Sequence, residues 1–530
     1  MISRRLLIAS TAAVATAIGL PRPAAAATAA TAAEGKTVTR TNTRTLHLAP
    51  AHEQLKALRK GHISARALLD QLLEHHAKAN PAVNAVVTTD VAAARAAADA
   101  ADRHRARTGT VLGPLHGLPL TVKDALETKG LRTTSGSPDL ADHVPATDAD
   151  LVALLRAAGA VIVGKTNVPT MCQDIQTSNP LFGTTKNPYA ADRTAGGSSG
   201  GPSAAVATGL SSLEVGSDLA GSLRLPAAYC GVYALRTSRG TMPVVPTRGH
   251  IPRPPGWLSS SDMLSLGPIA RTAEDLDVLL DVIAAPSPAD STAWSVSLPA
   301  PAKTRLGQYR VGLWADDDFC RVDAATRTLL GQVAHAVRTA GAALDDATRP
   351  VDFAQSNLLF ERLMYATSAA TTSDEAFAGE VKAAESVDPG SPAAHFLKSR
   401  TMRHRDWARA DEDRQKLRQA WAAYFAAHDV LITPAAPTAA VLDQTAVPSN
   451  ERYITVDGAK RGYFEQTSWL NLASPVGLPA VVMPTGRTAD GLPLSIQIIG
   501  PYLADRTVIA VAKLLSEVLP AAPQAPALTS

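Results

Sequence analysis

The chain has 530 residues, 46% hydrophobic, 19% charged and only 4% aromatic, an ordinary globular composition long enough to bury a large core without staples. Its net charge of +3 comes from Arg4, Arg5 and Arg22, which lie in an N-terminal stretch without acidic residues, so the remainder is neutral (3 − 3 = 0). Neutrality, few aromatics and no basic run argue against nucleic acid or an anionic membrane as the main partner. Ser3-Arg4-Arg5-Leu6-Leu7 is a twin-arginine pattern, followed by an apolar run from Leu6 to Leu20 and the small residues Ala24–Ala27. At about 15 residues the run is shorter than a spanning helix needs, so 1–27 is expected to be an export signal rather than an N-terminal anchor. Twin-arginine export carries folded proteins and points to a secreted or periplasmic location. The cysteines, Cys172, Cys230 and Cys320, are odd in number and have no metal-site spacing, so no obligatory disulfide is expected.

Residues 28–50, Ala/Thr-rich and aperiodic, read as a flexible leader. Apolar residues recur at helical spacing from His52 to Lys78, broken by Gly61, with Ser64 as the cap of the second part and Asn80-Pro81 as its stop. A strand over Val83–Val87 and a helix over Asp90–Arg107 follow. Leu118–Val122 reads as a strand with Lys123-Asp124 at its C-terminal end. Asp148–Ala158 reads as a helix closed by Gly159, and Ala160–Gly164 as a fully apolar strand covered on both faces. This alternation indicates an α/β fold. Residues 241–258 and 285–303 are Pro-rich loops, 323–428 is more helical, and short apolar strands return at Val430–Thr433, Val481–Met483 and Leu494–Ile499. The chemistry is concentrated between residues 113 and 283.

Around Val215 the pattern predicts a short strand, then a small-residue turn from Gly216 to Gly221. Backbone N–H groups at Leu219, Ala220, Gly221 and Ser222 can converge there on one point, as in an oxyanion hole, with Asp218 and Arg224 bracing the turn. Ser198 lies in the loop Gly196-Gly197-Ser198-Ser199-Gly200-Gly201, ahead of a helical run whose N-terminus adds a positive field. That loop lacks the Gly-Lys-Ser/Thr ending of a phosphate-binding loop. Lys123 ends an apolar strand; taken alone it reads either as a surface lysine paired with Asp124 or, if the strand end is buried, as a base whose pKa desolvation lowers.

The order and spacing of Lys123, Ser198 and Ser222 resemble the amidase signature family. The resemblance runs through Thr121-Val122-Lys123-Asp124, Gly196–Ser203, Gly216–Arg224 and Pro226–Val232. It resumes at Gly267–Thr272, Val476–Ala480 and Gln497–Pro501, and so covers nearly the whole mature chain. It implies a single amidase domain over 51–530, with a large mixed, mostly parallel β-sheet core surrounded by helices. It also implies an amidohydrolase with Ser222 as nucleophile, Ser198 as proton relay after a cis Gly197–Ser198 bond, neutral Lys123 as base, and Ser199, Asp218 and Arg224 in support. No metal or organic cofactor is needed, and the expected partner is a small amide, bound by a monomer or homodimer. By the same resemblance Met171, Asp174 and Gln176 line the pocket mouth, where Asp174 either attracts a cation or caps a turn, and 353–425 with the Trp469 segment form the acyl-side wall.

The sequence departs from the family pattern at Ala220, where glycine is usual, at Ser217 in place of threonine, and at Leu235-Arg236-Thr237 in place of Leu-Lys-Pro. Other readings remain at this stage. Gly196-x-Ser198-x-Gly200 fits a nucleophile elbow, which needs an apolar strand before it and a downstream acid and histidine. An esterase or aryl acylamidase, a transamidase component with protein and tRNA partners, and a binding protein with impaired catalysis are further alternatives. His116 reads as a packing residue.

Overall fold

The computed structural model describes residues 43–240, 242–251, 258–370, 372–521 and 524–526. The expected export signal lies outside the described residues, as does the leader up to residue 42. The rest of that leader is folded, which corrects the expectation of a flexible segment to residue 50. Thr43–Leu48 forms a 3-10 helix, anchored by the buried Leu46 and by the His47 ring against Gln71.

Local signals place most of the following elements. Gly61, at φ 70°, ends the helix Ala51–Lys60. The Ser64 hydroxyl accepts the Ala67 N–H and caps the helix Ala65–Val83. That helix runs through Asn80-Pro81 instead of stopping there. Proline removes a donor from the last turn only, and the Asn80 side chain accepts the Ala85 and Val86 N–H groups just beyond it. The strand expected at Val83–Val87 therefore begins at Val86.

Two sheets carry the site. The smaller one holds β1 (Val86–Thr89), β2 (Pro119–Lys123) and β3 (Val161–Thr166), with β3 central, antiparallel to β1 and parallel to β2. The larger has eight strands, β4 (Glu214–Asp218), β5 (Tyr233–Arg236), β6 (Ser265–Ala270), β7 (Arg310–Leu313), β8 (Ala343–Asp345), β9 (Val430–Pro434), β10 (Ala480–Arg487) and β11 (Pro493–Ile499), in the order β8-β7-β9-β11-β10-β5-β6-β4. The sheet is mixed and flanked by helices, as expected, and the described residues form one compact unit. Its parallel pairings are confined to β8-β7-β9 and its other ladders are antiparallel, which corrects the expectation of a mostly parallel sheet. The physical reason is burial on both faces. Every residue of β11 is buried, and a strand covered on both sides reads as continuously apolar whatever its direction.

Successive side chains of β10 show that double coverage. Val481 and Met483 face the core beneath the helices Ala273–Ile283 and Asp505–Ser516, while Val482 faces the core shared with Gly200–Ala207 and Arg224–Cys230. Those last two short helices follow the two serine loops, so the packing that builds the domain also fixes the serines. Among the described residues no helix is long and apolar enough to cross a membrane.

Candidate active site

Lys123 is the last residue of β2 and is fully buried. Its Nζ lies 2.8 Å from Ser198 Oγ, 2.9 Å from Ser199 Oγ and 2.8 Å from Ser217 Oγ. Each hydroxyl can donate or accept, so the cage serves both an ammonium and a neutral amine. Burial pushes the lysine below its ordinary pKa, while Cys172, Asp218 and Glu214 pull it back. Neither carboxyl is a free counter-charge. Asp218 is committed to Arg224, and burial pushes Glu214 up to about 7 despite its hydrogen bonds to Thr166 and Thr121.

Ser198 is buried and follows a cis Gly197–Ser198 bond. Gly197 packs so closely on the segment before it that an added Cβ would lie 2.7 Å from the Asp174 carbonyl oxygen. The Thr177 hydroxyl donates to the Gly196 carbonyl at 2.8 Å and holds the loop from the same side. Residues 187–192, ahead of the loop, form no strand, so the nucleophile-elbow reading lacks its framework. The Ser198 hydroxyl is partnered by the lysine.

Strand β4 continues to Asp218, past the expected end near Val215, and this extension aims Ser217 at Lys123. The Asp218 carboxylate accepts the Gly221 N–H at 2.9 Å and two guanidinium bonds from Arg224 at 2.8 and 2.9 Å. Burial alone would raise its pKa, but the Arg224 and Arg236 charges and these hydrogen bonds hold it well below the usual carboxylate range. Gly221 has φ 94°, and a Cβ there would meet Leu470 Cδ1 at 2.8 Å. Because its N–H belongs to Asp218, the candidate oxyanion donors reduce from four to Leu219, Ala220 and Ser222. Ala220 lies outside the positive-φ residues, and it packs with Leu219 against Met263, Leu359, Phe360 and Leu363. Its methyl group is accommodated by apolar packing where the family pattern has glycine. Ser222 is half-buried, in contrast to Ser198 and Lys123, and its carbonyl accepts the Ser199 N–H at 3.0 Å. The accessible serine and the buried relay are thereby joined through the backbone.

The Amidase family model matches residues 67–509. The chain belongs to the amidase family. It is 32% identical to a glutamyl-tRNA(Gln) amidotransferase subunit from Synechococcus sp. (strain CC9902), over 91% of this chain and 99% of that one. Its fold superposes with a TM-score of 0.74, at 28% identity, on an inhibitor-bound vestigial protein complex described as revealing the origins of an s-triazine catabolic enzyme, covering 90% of this chain and 100% of the other. It superposes with a TM-score of 0.72, at 25% identity, on 6-aminohexanoate cyclic dimer hydrolase complexed with substrate, covering 91% and 99%.

Within this amidase fold the outer site residues divide. Met171 is half-buried at φ 52°, as is Cys172 at φ 58°, and Cys172 lies close enough to Lys123 to raise its pKa, an influence its sequence context did not signal. Asp174 is already occupied. It accepts Arg452 at 2.7 Å, the Tyr463 hydroxyl at 2.8 Å and the Ile175 N–H at 2.7 Å, so it serves as the turn cap and ion-pair partner rather than as a free acid for a cationic group. Gln176 is buried; its Oε1 accepts the Gln444 N–H at 3.0 Å, and its Nε2 has no partner among the described residues. Trp469 does not form a pocket wall. It is buried between Trp314 and Phe353 with Nε1 on the Cys320 carbonyl. Leu470, the next residue in that segment, faces the nucleophile turn, and Leu359, Phe360 and Leu363 of the helix Phe353–Ala369 pack with Leu219 and Ala220 of that turn. His116 is buried at the entry to β2, where its Nδ1 accepts the Leu112 N–H.

Proposed function

We propose that this amidase hydrolyses small carboxylic amides through an acyl-serine intermediate. The observation that carries the reading is the triply hydrogen-bonded, fully buried Lys123 behind an accessible Ser222. Ser222 Oγ attacks the amide carbonyl carbon while its proton passes to Ser198, whose own proton passes to neutral Lys123. The tetrahedral oxyanion is received by the N–H groups of Leu219, Ala220 and Ser222. Return of the proton to the nitrogen lets the C–N bond break and the amine or ammonia leave. Water, deprotonated through the same relay, then cleaves the ester to the acid and restores Ser222.

The mouth favours a neutral, apolar acyl group. Met171, Leu219 and Ala220 are half-buried there, and the nearby carboxylate, Asp174, is neutralised by Arg452. The N-terminal pattern adds an exported location to this proposal, and export together with a neutral mature charge separates it from the tRNA-dependent role named for its relatives. Purified protein offered a panel of neutral aliphatic, neutral aryl and charged amides is expected to release acid fastest from the neutral members. Hydroxylamine added during turnover should divert product to the hydroxamate, as an acyl-enzyme requires. A uniform failure to cleave any amide, with substrate still bound, would favour the impaired binding protein instead.

The lysine also sets a pH dependence. The active form is neutral Lys123, so kcat/KM should rise with pH and level off once the lysine is deprotonated. Burial lowers that transition below the 10.5 of an ordinary lysine, so the plateau should be reached on its acid side. A profile still climbing at pH 10.5 would show that the buried cage does not depress the base.

A further inference from the structure

A cavity of about 240 Å³ opens between the helix His404–Ala427, the loop after β5 and the loops before β6 and β10. It shares no lining residue with the serine–lysine centre. Its charge balance is uneven. Arg239, Arg414 and Arg418 face it with only Asp262 and Asp411 against them, a net +1 (3 − 2). Arg414 takes both acids, donating to Asp262 at 2.8 and 2.9 Å and to Asp411 at 2.7 Å. Arg239 donates only to neutral oxygens, the Leu264 carbonyl at 2.6 Å and Ser260 Oγ at 3.1 Å. Arg418 likewise reaches only the Val476 carbonyl at 3.2 Å and Gln415 Oε1 at 3.1 Å. Among the described residues neither guanidinium has a carboxylate partner.

We propose that this cavity binds a small oxyanion, a carboxylate or an inorganic phosphate, between Arg239 and Arg418. Guanidinium forks match the geometry of such anions, and charge-assisted bonds are the strong ones in a partly enclosed site. Burial, and the repulsion of Arg414 against both, holds Arg239 and Arg418 below the usual arginine range, a cost that an anion would relieve. The volume is several times that of one water, enough for an acid of a few heavy atoms. Met263 belongs both to the cavity wall and to the apolar cluster that carries Leu219 and Ala220, and Arg236 donates to both the Asp218 and Met263 carbonyls. An occupant would thus sit one side chain behind the nucleophile turn.

Calorimetric titration of the full chain with acetate and with potassium phosphate, at ionic strength fixed with chloride, tests this. One saturable site is expected, with affinity at least tenfold weaker in both Arg418→Gln and Arg239→Gln. Glutamine keeps a neutral donor at each position, so circular dichroism should show both variants folded. Preference for acetate would identify a carboxylate as the natural occupant, and preference for phosphate an inorganic anion. Absence of saturable binding to the wild type overturns the proposal. So does binding that both variants retain at full strength, which would place the anion at the oxyanion turn instead.

Discussion

Lys123→Ala is expected to lower kcat/KM on the best neutral amide by about 10³–10⁴-fold, the upper range for loss of a general base. The lysine is the buried end of the relay, and in the structure its Nζ is the group that gathers the hydroxyls of Ser198, Ser199 and Ser217. Ser222→Ala should cost more, on the order of 10⁶-fold, as the loss of a serine nucleophile does elsewhere. The double variant should be no worse than Ser222→Ala alone, because a base has nothing to activate once the nucleophile is gone. Ser217→Ala should be milder than either, since two hydroxyl partners of Nζ remain. His116→Ala should keep most of the activity, its ring being engaged with the Leu112 N–H. Steady-state kinetics on the purified variants decides the order. A Lys123→Ala enzyme within tenfold of wild type, or a Ser222→Ala enzyme that still turns over, would remove the serine–lysine mechanism.

The parts of the site legible in the sequence are those whose residue types are dictated by backbone and by short-range order. Lys123 was marked by its position at the end of an apolar strand, Ser198 by glycines that let the chain pack where a side chain would clash, and Ser222 by a small-residue turn. The helix cap at Ser64 and the left-handed Gly159 were legible for the same reason. What was hidden depends on partners far away in the chain. Asp174 looked available because Arg452, 278 positions on, is invisible to local reading. Within the Trp469 segment nothing nearby announces that Trp469 itself is buried against Trp314 and Phe353 while Leu470 faces the turn. Ser217 resembled a mild replacement, since the sequence gives no sign that β4 extends to Asp218 and turns that hydroxyl onto the lysine. Sheet direction was hidden by uniform burial, and the order of Thr43–Leu48 by a single anchoring leucine in an otherwise aperiodic stretch.

Arg224→Met is expected to produce the largest loss of stability among single changes near the site, about 3–5 kcal/mol, the usual cost of breaking a buried ion pair. Both partners are fully buried. Without Arg224, Arg236 at 3.9 Å is the one ion-pair partner left to the Asp218 carboxylate among the described residues. The same guanidinium also reaches Gln497 of β11 at 2.7 Å, the Leu470 carbonyl at 2.6 Å and Ser474 at 2.9 Å, so its removal also leaves those acceptors short of a donor. Leu470 is the residue against which Gly221 packs, and Asp218 holds the Gly221 N–H. The turn that presents Ser222 should therefore loosen, and kcat should fall even at temperatures where the variant stays folded. Adding Asp218→Asn should recover part of the stability, because the stranded carboxylate is then gone, although the fully buried Arg236 loses its carboxylate partner in exchange, while catalysis stays impaired. Urea unfolding midpoints and kcat, measured on the single and double variants, separate these effects. If the double variant is less stable than Arg224→Met by the full cost of a second independent lesion, the buried charge is not what destabilises the single variant. In that case the clamp acts through its hydrogen bonds to Leu470, Ser474 and Gln497.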